Sequence, residues 1–333
     1  MKACCIRSLG GLFLLAGWLA GPALLNAQPA FRFTTVQPLT NRELRLKLDA
    51  TNGFFYRIDA TTNLPDWSAL VTLAGVKTGL QLTDSAAPYL PQRLYRAQLF
   101  TETNTFTGDH LTSTNGDVII HPINHATFVL RWNGKTIYND PVDPATRYTG
   151  LPKADLILVS HDHTDHFNSS TIDAVRASNA VIIVPSAVYS SLSAAQKLIA
   201  IVLTNSATTN VLGLTVEAIP AYNTNVTGTI YHPKGRGNGY VLNVGGRRIY
   251  ASGDTDNIPE MRALPDIDVA FVCMVMPYTM PVDRAASAVR EFRPRVVYPY
   301  HFFSNGSPTS DVNDFKRRVG QDLGIEVRLR QWY

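Results

Sequence analysis

The chain has 333 residues, 45% of them hydrophobic, with 30 basic and 26 acidic side chains, a net charge of +4 and three cysteines. That length and apolar content allow two domains with a substantial core, while so slight a basic excess argues against a nucleic-acid or anionic-membrane partner. Three cysteines are too few for a disulfide scaffold.

Residues 1–27 open with Lys2 and Arg7, run through an apolar stretch over 9–25 and end in small residues before Gln28. This pattern predicts a signal peptide, with an uncleaved anchor as the alternative, hence a secreted or periplasmic protein with no integral membrane span once the leader is cleaved. Cys4 and Cys5 fall in the leader, so Cys273 would be alone in the mature chain and no intrachain disulfide could form. Residues 28–100 carry short alternating or aromatic-rich runs at 43–48, 54–58, 67–71, 80–82 and 94–99, separated by Asn, Gly, Pro and Asp clusters. They predict a small β-sandwich module with no catalytic role, in which Trp67 and Tyr95 are expected in the core, with a sugar-binding platform as the alternative. Residues 101–109, rich in Thr, Asn and Gly, read as a linker.

From 110 to 333 strands and helices alternate as an α/β protein requires. Strands are predicted at 118–120, 127–132 and 135–138, the last two joined by the hairpin signal Asn133-Gly134. A buried strand over 156–159 precedes a helix over 168–178, opened by Ser170 with Asp173 at capping-box spacing. Further strands follow at 181–184, 214–219, 239–244, 247–251, 268–274 and 295–300. Helices are expected at 193–202, 282–292 and 310–323.

The densest chemistry lies directly after the strand at 156–159, in His161-Asp162-His163-Thr164-Asp165-His166. On a strand-to-helix loop these side chains can converge, and imidazole nitrogens with carboxylate oxygens are donors that zinc or another first-row divalent ion accepts. In extended backbone His161 and His163 point to the same side, and Asp165 and His166 can turn toward a second position. A histidine-rich polar loop without metal is the plainer alternative.

His161, His163, Asp165 and His166 match the HxHxDH signature of the metallo-β-lactamase superfamily, and other segments resemble its further motifs in the same order. Ile137-Tyr138-Asn139-Asp140-Pro141 resembles the first motif, Ser252-Gly253-Asp254-Thr255-Asp256 the fourth and Pro299-Tyr300-His301 the fifth. The resemblance spans residues 108–333. Pro122-Ile123-Asn124-His125-Ala126 and Pro277-Tyr278-Thr279-Met280 are similar to phrases of the branch that holds L-ascorbate-6-phosphate lactonase and N-acylphosphatidylethanolamine phospholipase D. The resemblance implies a four-layer αββα sandwich after the β module, and two bound zinc ions, with manganese or iron as alternatives. His161 and His163 would face one ion, Asp165, His166 and His301 the other, with Asp254 as the bridge and Asp140 orienting a ligand histidine.

The third motif departs from the pattern. Where a ligand histidine should follow the strand at 214–219, the chain reads Pro220-Ala221-Tyr222-Asn223. Asn223 is then expected as a weak ligand, with His232 as its alternative. Tyr278, Thr279, Lys234 and Arg236 are candidate substrate contacts, and His121 and His125 read as buried, hydrogen-bonded histidines. The expected activity is attack of a metal-bound hydroxide on a small ester, lactone or phosphodiester, with Asp165 and Asp254 in catalytic roles. A mononuclear iron oxygenase of the same superfamily and a binding protein that has lost catalysis are the alternatives. Oligomeric state leaves no mark in the sequence.

Overall fold

The computed structural model describes residues 31–102, 105–224 and 228–332. The predicted leader, with Lys2, Arg7, Cys4 and Cys5, lies outside them. The chain divides into two compact units, Met1–Thr112 and Ser113–Tyr333, and no helix among the described residues is long and apolar enough to cross a membrane.

The first unit is all-β. Strands β1 (Phe33–Pro38), β2 (Leu44–Leu48), β3 (Phe55–Thr61), β4 (Ser68–Ala74), β5 (Leu80–Asp84), β6 (Leu94–Phe100) and β7 (Gly108–Leu111) form two antiparallel arrays, β1-β2-β5 and β6-β3-β4-β7. Alternation in the sequence becomes alternation in burial: Leu44, Leu46 and Leu48 are buried and Lys47 between them is exposed. Leu44, Leu46, Ile58, Val71, Leu82 and Tyr95 form one buried cluster that draws on both arrays. Tyr95 is therefore a core residue, with its hydroxyl donating to Asp84 Oδ2 at 2.8 Å. Trp67 is only half-buried and carries the Arg96 guanidinium over its ring at 4.6 Å. The end of the stretch expected as a linker pairs with β4 as strand β7.

The second unit stacks two mixed sheets and flanks them with helices. One sheet has the order β13-β12-β11-β10-β9-β8, from β8 (Val118–Asn124), β9 (Thr127–Trp132), β10 (Lys135–Asn139), β11 (Ala154–Leu158), β12 (Arg176–Val184) and β13 (Ala200–Val202). The other runs β14 (Thr208–Val211), β15 (Leu214–Ala221), β16 (Gly237–Val244), β17 (Arg247–Ala251), β18 (Val269–Cys273), β19 (Val296–Tyr300) and β20 (Glu326–Val327). Phe128 of β9 stacks on Phe271 of β18 at 3.9 Å between ring centroids, and Tyr298 of β19 stacks on Phe271 in turn, so the core lies between the sheets. The helices are α1 (Ser169–Val175), α2 (Ser186–Ser191), α3 (Ala194–Lys197), α4 (Pro259–Arg262), α5 (Val282–Phe292) and α6 (Val312–Val319).

Several predicted elements shift, each for a local reason. Helix α1 is capped by Asn168, whose side chain accepts the Thr171 N–H, rather than by a Ser170–Asp173 box, and it ends at Val175 because the chain enters β12. The helix expected over 193–202 stops after one turn, opened by a Ser193–Gln196 capping box. Its β-branched remainder becomes β13, paired in parallel with β12. The last helix is Val312–Val319, capped at its start by Asp311 and ended by Gly320.

Candidate metal centre

The site gathers at the C-terminal ends of strands from both sheets of the second unit. His125 follows β8, Asp140 follows β10, the segment His161 to His166 follows β11, Asp254 lies in the turn after β17 and His301 follows β19. Gly253 makes the turn before Asp254 possible. Its φ is +59°, and a Cβ there would stand 2.7 Å from the Asn238 carbonyl oxygen.

Three sets of potential metal donors converge: His125, Asp165, His166 and His301; His161, His163 and His232; and His161, His166 and Asp254. Asp254 is central. Its Oδ1 is 3.4 Å from His166 Nε2, and its Oδ2 is 3.3 Å from both His301 Nε2 and His232 Nε2. These separations exceed the 2.7–2.9 Å of a charge-assisted hydrogen bond. They match the roughly 3.4 Å between two ligands each about 2.1 Å from a tetrahedral zinc ion. His166 Nε2, His232 Nε2, Asp254 Oδ1 and both ring nitrogens of His301 are buried without a hydrogen bond of normal geometry. A folded protein rarely leaves so many polar atoms unpaired in one place, and the residues present therefore fit divalent metal.

The opposite ring atoms are held. Asp140, fully buried, accepts the Ser160 N–H at 2.7 Å on Oδ1, and on Oδ2 the Ser160 hydroxyl and His166 Nδ1, both at 2.8 Å. That contact holds a proton on Nδ1, so that Nε2, facing the cluster, would be the nitrogen to bind an ion. His232 Nδ1 likewise faces the Asn223 Oδ1 and Tyr278 carbonyl oxygens, each at 3.2 Å. Its Nε2 is then the donor.

Asn223 has a different place from the one expected. Its Oδ1 accepts the backbone N–H groups of Tyr231 and His232 at 2.9 and 2.8 Å, and its Nδ2 donates to the Tyr278 carbonyl at 3.0 Å. Both oxygen lone pairs are thus engaged in holding the loop that presents His232. It is the His232 imidazole that stands beside His161 and His163, with ring centroids 4.9 Å from each.

Electrostatics follow from burial and crowding. Burial, reinforced by neighbouring His166, pushes His161 well below the usual histidine range, and burial also lowers His232. Burial alone would depress His166 too, but Asp254, Asp165 and Asp140 outweigh it and raise it well above. Burial opposes charge on Asp254, yet His301 and His166 hold its carboxyl well below the carboxylate range. Asp165 is lowered in the same way, against burial, by His166 and by the hydrogen bond from His125.

A cavity of about 510 Å³ opens over the cluster, with Tyr231, Tyr278, Thr164 and Ser304 among its lining residues. The Tyr231 and Tyr278 rings meet edge to face at 4.9 Å. The other proposed substrate contacts are committed elsewhere. Thr279 is buried and exchanges hydrogen bonds with the Val275 backbone. Lys234 pairs with Glu260 at 2.9 Å and lies over the Tyr222 ring, and Arg236 makes a two-pronged contact with Asp162 at 3.0 and 2.6 Å. His125, read from the sequence as a buried, hydrogen-bonded histidine, has Asp165 as its partner, with Nε2 3.0 Å from Oδ2.

A family model described as the β-lactamase superfamily domain matches residues 120–301, which include every donor named above. The chain belongs to the metallo-β-lactamase superfamily. It is a metal-dependent hydrolase of that superfamily, in keeping with relatives of that name. One from Thermococcus kodakarensis is 30% identical over 218 residues, 62% of this chain and 93% of its own. Another, from Anaeromyxobacter dehalogenans, is 36% identical over 203 residues, 54% of this chain and 72% of its own. Among solved structures, a protein of Parabacteroides distasonis described as a candidate metal-dependent hydrolase superposes with a TM-score of 0.59 at 38% identity, covering 69% of this chain and all of that one.

Proposed function

We propose that this superfamily hydrolase is an exported two-metal enzyme that cleaves a small ester, lactone or phosphodiester. The observation that carries this reading is the convergence of unpaired, buried nitrogens on both sides of the Asp254 carboxylate. His161, His163 and His232 would hold one ion and Asp165, His166 and His301 the other, with Asp254 between. Zinc suits this mixed imidazole and carboxylate set. Two divalent ions here would supply a water activated at neutral pH and polarise the carbonyl or phosphoryl oxygen under attack.

The protein's own part is orientation. Asp140 and the Asn223 loop fix the tautomers of His166 and His232, so that neither ring must reorganise when the site is filled. Asp165, a partly exposed residue of the cavity lining, would be a ligand with both ions bound and a proton acceptor for water with only one. Export rests on the leader pattern of residues 1–27.

Within the lactonase and phospholipase branch that the motifs resemble, the cavity favours substrates without a terminal phosphate. Among the described residues no Lys or Arg lines it, and the nearby cations Lys234 and Arg236 are paired with Glu260 and Asp162. A phosphate remote from the metals would lack a counter-charge. The binding-protein alternative has its main support in Asn223 standing where a ligand histidine is expected, and the His232 ring beside His161 and His163 weakens that support.

The test is metal content and turnover measured together. Protein purified without added metal should carry close to two zinc or manganese ions and hydrolyse uncharged lactones and esters faster than their phosphorylated counterparts. Asp254→Ala should lose both metal and turnover. Stoichiometric iron with no hydrolysis would favour the oxygenase reading, and full activity in Asp254→Ala would exclude the bridging role.

A further inference from the structure

His125 is not part of the histidine and aspartate pattern that the motifs supply, yet it sits against the second donor set. It closes β8 with a left-handed backbone, φ +56°, a conformation that costs a non-glycine residue and persists where the surroundings impose it. Its carbonyl accepts the His301 N–H at 3.1 Å, and its ring packs against the His301 ring at a tilt of 49°, with centroids 3.8 Å apart. Its Nε2 is 3.0 Å from Asp165 Oδ2.

Asp165 needs such a contact more than the other donors do. Its side chain is 42% exposed, whereas those of His166, His301 and Asp254 are at most 4% exposed. A carboxylate so open to water samples several rotamers and exchanges its hydration shell unless something holds it. The same Oδ2 lies 3.6 Å from His301 Nε2 and 3.8 Å from His166 Nε2, so the oxygen that His125 touches is the one that faces the donor set.

We propose that His125 is a positioning residue: its Nε2–H tethers Asp165 to the donor set and thereby sets the metal affinity of the second site, without His125 itself binding metal. A ring nitrogen that donates its proton to Asp165 has no lone pair to offer an ion. The inference rests on the two-site reading above, and the experiment separates the two.

Stepwise zinc titration of metal-free protein by calorimetry reads each site, with His232→Ala assigning the step that belongs to the first. Three substitutions divide the contributions of His125. Glutamine reaches about as far as Nε2 and can donate to Asp165. Asparagine is too short to reach but tolerates left-handed backbone better than most residues. Alanine does neither. The expected result is near-native binding in His125→Gln and a second-site affinity lowered roughly 10-fold to 100-fold in His125→Asn and His125→Ala. The first site should be unchanged in all three, which also reports that each variant is folded.

Native binding in His125→Asn with loss in His125→Gln would overturn the tether and leave only the backbone conformation. Equal loss in all three would make His125 a ligand, and no loss in any would leave it without a role at the site. A wild-type protein that takes up a single zinc would instead overturn the two-site reading itself.

Discussion

At the scale of single residues, the site depends on side chains that do not face the cavity. Asn223 uses its oxygen and its nitrogen to fasten the loop bearing His232, so Asn223→Ala should weaken zinc binding at the first site by roughly 10-fold to 100-fold through that loop. His232→Ala should abolish that site, and Asn223→His should fail to strengthen it, because the imidazole cannot reproduce the two accepted N–H bonds. Calorimetric titration of the three variants checks the order, and a tighter first site in Asn223→His would show that position 223 does reach the metal. Cys273 illustrates the opposite case. Burial, helped by the Asp254 charge, pushes its thiol up to about 12. At pH 8 roughly one molecule in ten thousand would then carry a thiolate, and thiol-specific alkylation should mark Cys273 only after unfolding. Rapid labelling of the folded protein would contradict its burial.

At the scale of elements, the same device recurs at three strand ends. His125 after β8, Asp140 after β10 and His301 after β19 all have left-handed backbone, with φ of 56°, 44° and 44°. Each turns its side chain aside as the strand ends, at a cost of about 1–3 kcal/mol per residue. Residue types signal this only weakly, because histidine and aspartate, though enriched among non-glycine residues in left-handed backbone, adopt it at a small minority of their positions. The motif residues themselves were legible, since His161 to His166 carry their chemistry in a row. At Asn223 strand end and spacing located the position, while the partners that engage its amide oxygen, Tyr231 and His232, lie eight and nine residues further on. Strand β16 shows how tightly these ends are packed: a Cβ at Gly239 would stand 2.7 and 2.8 Å from the Ser252 and Ala251 carbonyl oxygens. Gly239→Ala must therefore push β16 away from the segment leading to Asp254. It should cost about 1–3 kcal/mol in stability, measured by denaturant unfolding, and lower second-site metal affinity as well. An unchanged midpoint would mean that the two segments separate freely.

At the scale of the whole molecule, the two units divide structure from chemistry. Every metal donor, both residues that fix ring tautomers and the described cavity lining belong to Ser113–Tyr333. The first unit has its own buried cluster around Leu46, Ile58, Val71 and Tyr95, and ion pairs of its own, such as Arg93 with Asp84. Two cores of this kind are what independently folding domains require. A chain starting at Ser113 should then fold, bind the same number of zinc ions as the full protein and hydrolyse a small soluble ester with kcat/KM changed by less than about 10-fold, or 1.4 kcal/mol. Reading zinc content beside turnover makes the outcome specific. Native zinc with lost turnover would assign the first unit a part in substrate binding, whereas loss of both with retained helix and strand content would make it necessary for assembling the metal centre.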